Sequence, residues 1–107
     1  MRENLSRKGR RAVRHLFLIN PAAGKHLDVA GITEEIRALM AERGEPWEVM
    51  VTRAPGEAEA LSRMWARQCR EEGRVYALGG DGTLNEVVNG VAGQDQVAVG
   101  CCPLGSG

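Results

Sequence analysis

Gly79-Gly80-Asp81-Gly82-Thr83 follows Arg74 to Leu78, which reads as a strand, and precedes Leu84, Val87, Val88 and Val91, which recur as one face of a helix. A glycine-rich turn from strand into helix exposes backbone where the helix leaves its first N–H groups unpaired and carries a partial positive charge. Such a turn is a seat for an anion, and phosphate fits it best. The pattern predicts a βα unit, and the rest of the chain either repeats it or contradicts it.

It repeats. Leu16-Phe17-Leu18-Ile19 is a continuous apolar run stopped by Asn20-Pro21, as expected of a strand buried on both faces. From Val29 to Arg43 the positions Ile32, Ile36, Leu39 and Met40 make a helical stripe that Gly44 is placed to end. Trp47 to Val51 reads as a second strand. Ala58, Leu61, Trp65 and Cys69 mark a second helix between Gly56 and Glu72, with Gly73 as its stop. Met64 is assigned to the core beside Leu61 and Trp65. Val97 to Cys102 reads as a fourth strand before Pro103. Alternation of this kind predicts an α/β fold, a three-layer, Rossmann-like parallel sheet with helices on both faces. Ligands of such sheets gather at the carboxyl ends of the strands, where Asn20 to Lys25, Gly79 to Thr83 and Pro103 to Gly107 fall.

A chain of 107 residues holds one small domain, and no apolar run approaches the roughly 20 residues of a membrane-spanning helix. No signal-peptide pattern is present either, so a cytoplasmic location is expected. The charge is divided: residues 1 to 15 hold six Lys/Arg against one acid, and the remainder eight against thirteen. A net-acidic body is a poor partner for nucleic acid. The basic leader is expected to be disordered and is a candidate for peripheral contact with anionic lipid. Cys69, Cys101 and Cys102 lack metal-ligand spacing and read as core fillers. His15 and His26 read as uninvolved, with no carboxylate placed by the sequence to make a dyad.

Thr83-Leu84-Asn85-Glu86 has the spacing of a capping box, in which Thr83 and Glu86 would bond each other's backbone N–H and set the helix start. Asp81 is an acid inside an anion seat, a contradiction that Mg²⁺ resolves. A carboxylate there holds the metal directly or through water, or accepts a proton from an attacking hydroxyl, and either suits phosphoryl transfer. The plain alternative is a turn aspartate bonded to its own backbone. Asn20-Pro21-Ala22-Ala23-Gly24-Lys25 is a small-residue loop with a cation at its end, suited to wrapping phosphates. It is no P-loop, because Ile19 and His26 stand where that pattern needs Gly and Ser/Thr, and Asn85 breaks the dinucleotide fingerprint.

Leu18-Ile19-Asn20-Pro21-Ala22-Ala23-Gly24-Lys25, Thr52 with Gly56-Glu57-Ala58, Gly79 through Gly90, and Pro103-Leu104-Gly105-Ser106-Gly107 together resemble the catalytic domain of the diacylglycerol kinase family, which includes bacterial lipid kinases and sphingosine kinases. The resemblance implies that ATP lies against Asn20, Pro21, Ala22, Ala23, Gly24, Lys25, Thr52, Gly79, Gly80, Asp81, Gly82, Thr83, Leu84, Asn85 and Ser106. It implies that the γ-phosphoryl group passes to a lipid hydroxyl of diacylglycerol or a related alcohol, with Asp81 nearest the reacting phosphates and a candidate Mg²⁺ ligand. Residues 1–14 are then a leader, and residues 15–107 the nucleotide-binding N-terminal part of that domain. Family members continue into a β-rich domain that supplies further metal ligands and the lipid pocket. The chain taken alone is therefore expected to turn over little or not at all. GGDGT also occurs in NAD kinases, so an NAD kinase-like enzyme is one alternative, and a nonenzymatic nucleotide-binding fragment is another.

Overall fold

A computed structural model of the chain describes residues 13–21 and 28–101, the side chain of Cys101 excepted. Strand β1 (Val13–Ile19) lies inside a four-stranded sheet with β2 (Trp47–Val51), β3 (Glu72–Leu78) and β4 (Val97–Cys101), in the order β2-β1-β3-β4. Every pairing is parallel, from Ile19 opposite Val51 and Leu78 to Gly73 opposite Val97. The apolar run is central because a strand flanked on both edges and covered on both faces meets no water. Leu16, Phe17, Leu18 and Ile19 are all buried.

Period-two alternation divides that run between two cores. Phe17 and Ile19 face α1 (Val29–Ala41) and pack with Ile32, Ile36, Met40 and Leu78. Leu16 and Leu18 face α2 (Glu57–Gln68) and α3 (Asp81–Val91), packing with Trp65, Ala66, Val75, Val87 and Val91. The result is the three-layer α/β architecture expected from the alternation. Asp28, which the spacing did not single out, caps α1 by accepting the Gly31 N–H at 3.1 Å.

Several expectations need correction. Leu39, Met64 and Val88 are exposed rather than core, because each follows or precedes a buried residue, Met40, Trp65 or Val87, and so lies about 100° around the helix from it. Gly73 does not end α2; it is a buried residue of β3, set against Cys69 and Trp65 with no room for a Cβ. Val13 and Arg14, grouped with the leader on charge, are strand residues paired with Glu72 and Gly73. Cys69 fills core space as expected, and burial pushes its thiol pKa up. Residues 1–12, His26 and Cys102 lie outside the described residues, so the calls on them have no structural counterpart.

His15 is the largest departure. It is 1% exposed, with Nε2–H donating to Glu45 at 2.7 Å and Nδ1 bonded to the Tyr76 hydroxyl at 2.8 Å. Its ring also stacks on Tyr76, which stacks in turn on Phe17. The partners lie 30 and 61 residues away, which is why local spacing could not reveal them. Burial would raise the Glu45 pKa, but the hydrogen bonds and charges of His15 and Arg43 outweigh it and hold the carboxyl below its ordinary 4.5. A lowered carboxyl contributes stability that is complete above the ordinary value and is lost as pH falls through the lowered one. Urea unfolding from pH 7 to pH 3 is therefore expected to show a stability gap between wild type and Glu45→Gln that closes at the acid end. A gap independent of pH would contradict the pairing.

Candidate functional site

The strand order places β1 beside β3 while their following helices leave for opposite faces of the sheet, α1 towards β2 and α3 towards β4. Chain departing in two directions opens a crevice at the carboxyl ends of those strands. Asn20 extends the ladder there by donating its N–H to the Leu78 carbonyl at 2.8 Å. Its side-chain amide donates to Thr83 Oγ1 at 3.1 Å, tying the end of β1 to the first turn of α3. The two motif loops, 63 residues apart in sequence, meet through this bond.

Beside it is a cleft of about 300 Å³. Asn20 lines one part, Gly80, Gly82, Thr83 and Glu86 another, and Arg53 to Pro55 of the β2–α2 loop the rest. Helix α3 starts at Asp81 with Gly80 as its N-cap, and no side chain caps it, so the N-terminal amides suit an anion. The expected capping box does not form. Thr83 is 3% exposed and its hydroxyl accepts from Asn20, while the Glu86 carboxylate accepts the Gly56 N–H at 3.0 Å. Each side chain is committed to a different neighbouring segment, Thr83 to the end of β1 and Glu86 to the β2–α2 loop, because the sheet brings both within reach.

None of Gly79, Gly80 and Gly82 has a positive φ, so their backbone conformation does not call for glycine. Gly79 is required by close approach: a Cβ there would strike Thr83 Oγ1 and lie 3.0 Å from Thr83 Cβ and 3.3 Å from Asn20 Cβ. Gly80 and Gly82 have nothing within 4 Å of a built Cβ, and both line the cleft.

Of the other sequence-predicted positions, Asp81 and Asn85 are exposed and Leu84 and Pro21 half-buried. The Thr52 side chain is buried, with its N–H donating to the Ile19 carbonyl at 2.9 Å. Ala22, Ala23, Gly24, Lys25 and Ser106 lie outside the described residues. Among the described residues no three His, Cys, Asp or Glu side chains come together to hold a metal. No described helix is long and apolar enough to cross a membrane. No local signal marks Arg53 or Glu86 as a cleft residue: Arg53 simply follows the second strand, and Glu86 has the spacing of half a capping box.

The family model for the diacylglycerol kinase catalytic domain matches residues 14–107. The chain is 34% identical over 91 residues to "Putative lipid kinase YtlR" of Bacillus subtilis (strain 168), covering 84% of this chain and 29% of that one. It is 32% identical over 91 residues to "Diacylglycerol kinase" of Staphylococcus carnosus (strain TM300), with the same two coverages. It thus spans 29% of the length of these two curated relatives. A crystal structure described as "a putative diacylglycerol kinase from Bacillus anthracis str. Sterne" superposes with a TM-score of 0.62 at 25% identity, over 80% of this chain and 31% of that one. With the fold, the motif loops and the sequence all in agreement, the chain belongs to the diacylglycerol kinase catalytic domain family.

Proposed function

We propose that this chain is the ATP-binding part of a lipid kinase, which passes the γ-phosphoryl group of ATP to a hydroxyl of diacylglycerol or a related lipid alcohol. The observation that carries the reading is the Asn20–Thr83 bond, which joins the two motif loops at one cleft under the start of α3. In such a transfer the bond between the γ-phosphorus and the bridging oxygen breaks, a bond to the lipid oxygen forms, and the hydroxyl proton is lost. Little of this needs covalent chemistry from the protein, and positioning with charge stabilisation does most of it.

Gly80, Gly82 and the uncapped amides of α3 hold phosphate oxygens, and Asn20 keeps the two loops in register. Asp81, exposed in the first turn, would hold Mg²⁺ directly or through water, and one carboxylate completed by phosphates and water would be a sufficient set for that ion. When bound, Mg²⁺ neutralises charge building on the β- and γ-phosphates. Among the described residues none is assigned the part of catalytic base or of a lipid pocket, and the chain spans 29% of the length of two lipid kinase relatives. The chain alone therefore binds ATP with little or no turnover. The basic run from Arg2 to Arg14 adds attraction to an anionic membrane surface.

An amide NMR titration of residues 1–107 tests this reading. MgATP is expected to shift Asn20, Gly80, Gly82 and Thr83 selectively, with NAD leaving them unmoved. Shifts produced by NAD alone would move the chain to the NAD kinase-like alternative, and a spectrum indifferent to both would sink the nucleotide site.

A further inference from the structure

We propose that Arg53 is a phosphate-binding residue of this nucleotide site, contributing the cationic wall of the cleft from the β2–α2 loop; the proposal rests on the nucleotide reading above. Arg53 and Glu86 are the charged side chains lining the cleft. Glu86 is occupied by the Gly56 N–H, and Asp81 adds a second acid in the first turn of α3. A polyphosphate entering this space meets carboxylates that repel it, and among the described residues Arg53 is the lining side chain that offsets them. No carboxylate pairs with its guanidinium among the described residues, although six other ion pairs form there.

The loop that carries Arg53 is braced at both ends. The Arg53 N–H donates to Glu57 Oε1 at 2.6 Å, the Glu57 N–H donates to the Ala54 carbonyl at 3.2 Å, and the Gly56 N–H is held by Glu86. Acids that could have neutralised the guanidinium are spent instead on the backbone around it. A pinned backbone lowers the ordering cost of binding, and a planar guanidinium offers paired donors that match phosphate oxygens. An unpaired cation on a fixed loop beside uncapped helix amides is an arrangement for a polyanion rather than for packing.

The test is calorimetric binding of MgATP, tripolyphosphate, AMP and adenosine to the 107-residue chain, with Arg53→Gln and Arg53→Lys beside wild type. Arg53→Gln is expected to weaken MgATP and tripolyphosphate by roughly tenfold, to change AMP little and to leave adenosine alone. Arg53→Lys keeps the charge and loses the fork, so it falls between the two. The gap is expected to narrow as salt is raised. Equal affinities for wild type and Arg53→Gln overturn the assignment and leave the nucleotide site standing. An equal loss across all four ligands also overturns it, since phosphate charge is then not what Arg53 reads. If wild type binds neither MgATP nor tripolyphosphate, the nucleotide reading itself fails, and this proposal with it.

Discussion

Gly90→Ala is expected to destabilise the fold by about 2 kcal/mol and Gly90→Val by about 3 kcal/mol, even though alanine is the better helix former by about 1 kcal/mol. The reason is the approach of α2 to α3. A Cβ on Gly90 would collide with Ser62 Oγ and lie 2.6 Å from the Glu59 carbonyl oxygen. Ser62 is itself buried and bonded back to the Ala58 carbonyl at 2.7 Å. Of the two obstacles, the hydroxyl can be trimmed and the carbonyl cannot, because it belongs to the helix backbone. The double variant Ser62→Ala/Gly90→Ala should therefore recover only part of the loss. Urea denaturation measures both differences. If Gly90→Ala were as stable as wild type, the two helices would not pack as closely as described, and the core formed by Leu16, Trp65, Val87 and Val91 would need to be redrawn.

The second large effect concerns binding, and it separates two kinds of glycine. In Gly79→Ala the new methyl enters the space of Thr83 Oγ1, and Thr83, being buried, has nowhere to retreat without moving the first turn of α3 away from Asn20. MgATP affinity is expected to fall by tenfold to a hundredfold, the scale on which displacements of about 1 Å act at such sites. Gly80→Ala meets no protein atom within 4 Å, and the backbone there, at φ −118°, suits any residue. It should leave the unfolding midpoint unchanged and still weaken MgATP, because only a ligand lying on the main chain would encounter the methyl. Thermal melts paired with MgATP titrations decide the matter. A Gly80→Ala chain with undiminished affinity would show that phosphate does not approach Gly80.

Much of the layout was legible because it depends on neighbours in sequence. Four strands and three helices follow from runs, stripes and punctuation, and Trp47–Val51 has the bounds expected of it. What failed did so for identifiable reasons. A helical stripe shows which residues are apolar but not how wide a surface they meet, so Leu39, Met64 and Val88 were read as buried. Glu86 has the spacing of a local cap, but a backbone N–H from another loop competes for it and wins, because the fold leaves Gly56 N–H in need of an acceptor. His15 had no visible partner, and it gained two when a turn and a neighbouring strand were brought beside it.

The alternation of strand and helix, the glycine-rich turn from strand into helix at Gly79 to Thr83 and the family resemblance could all be read from the sequence, since each depends on short-range spacing and backbone chemistry. Only the tertiary structure decided that β1 lies beside β3, that Asn20 grips Thr83, that Gly79 is small to admit Thr83, and that Arg53 stands in the cleft. These are contacts between segments tens of residues apart. Periodicity carries no record of them, because which strand lies next to which is settled by packing two cores on one sheet.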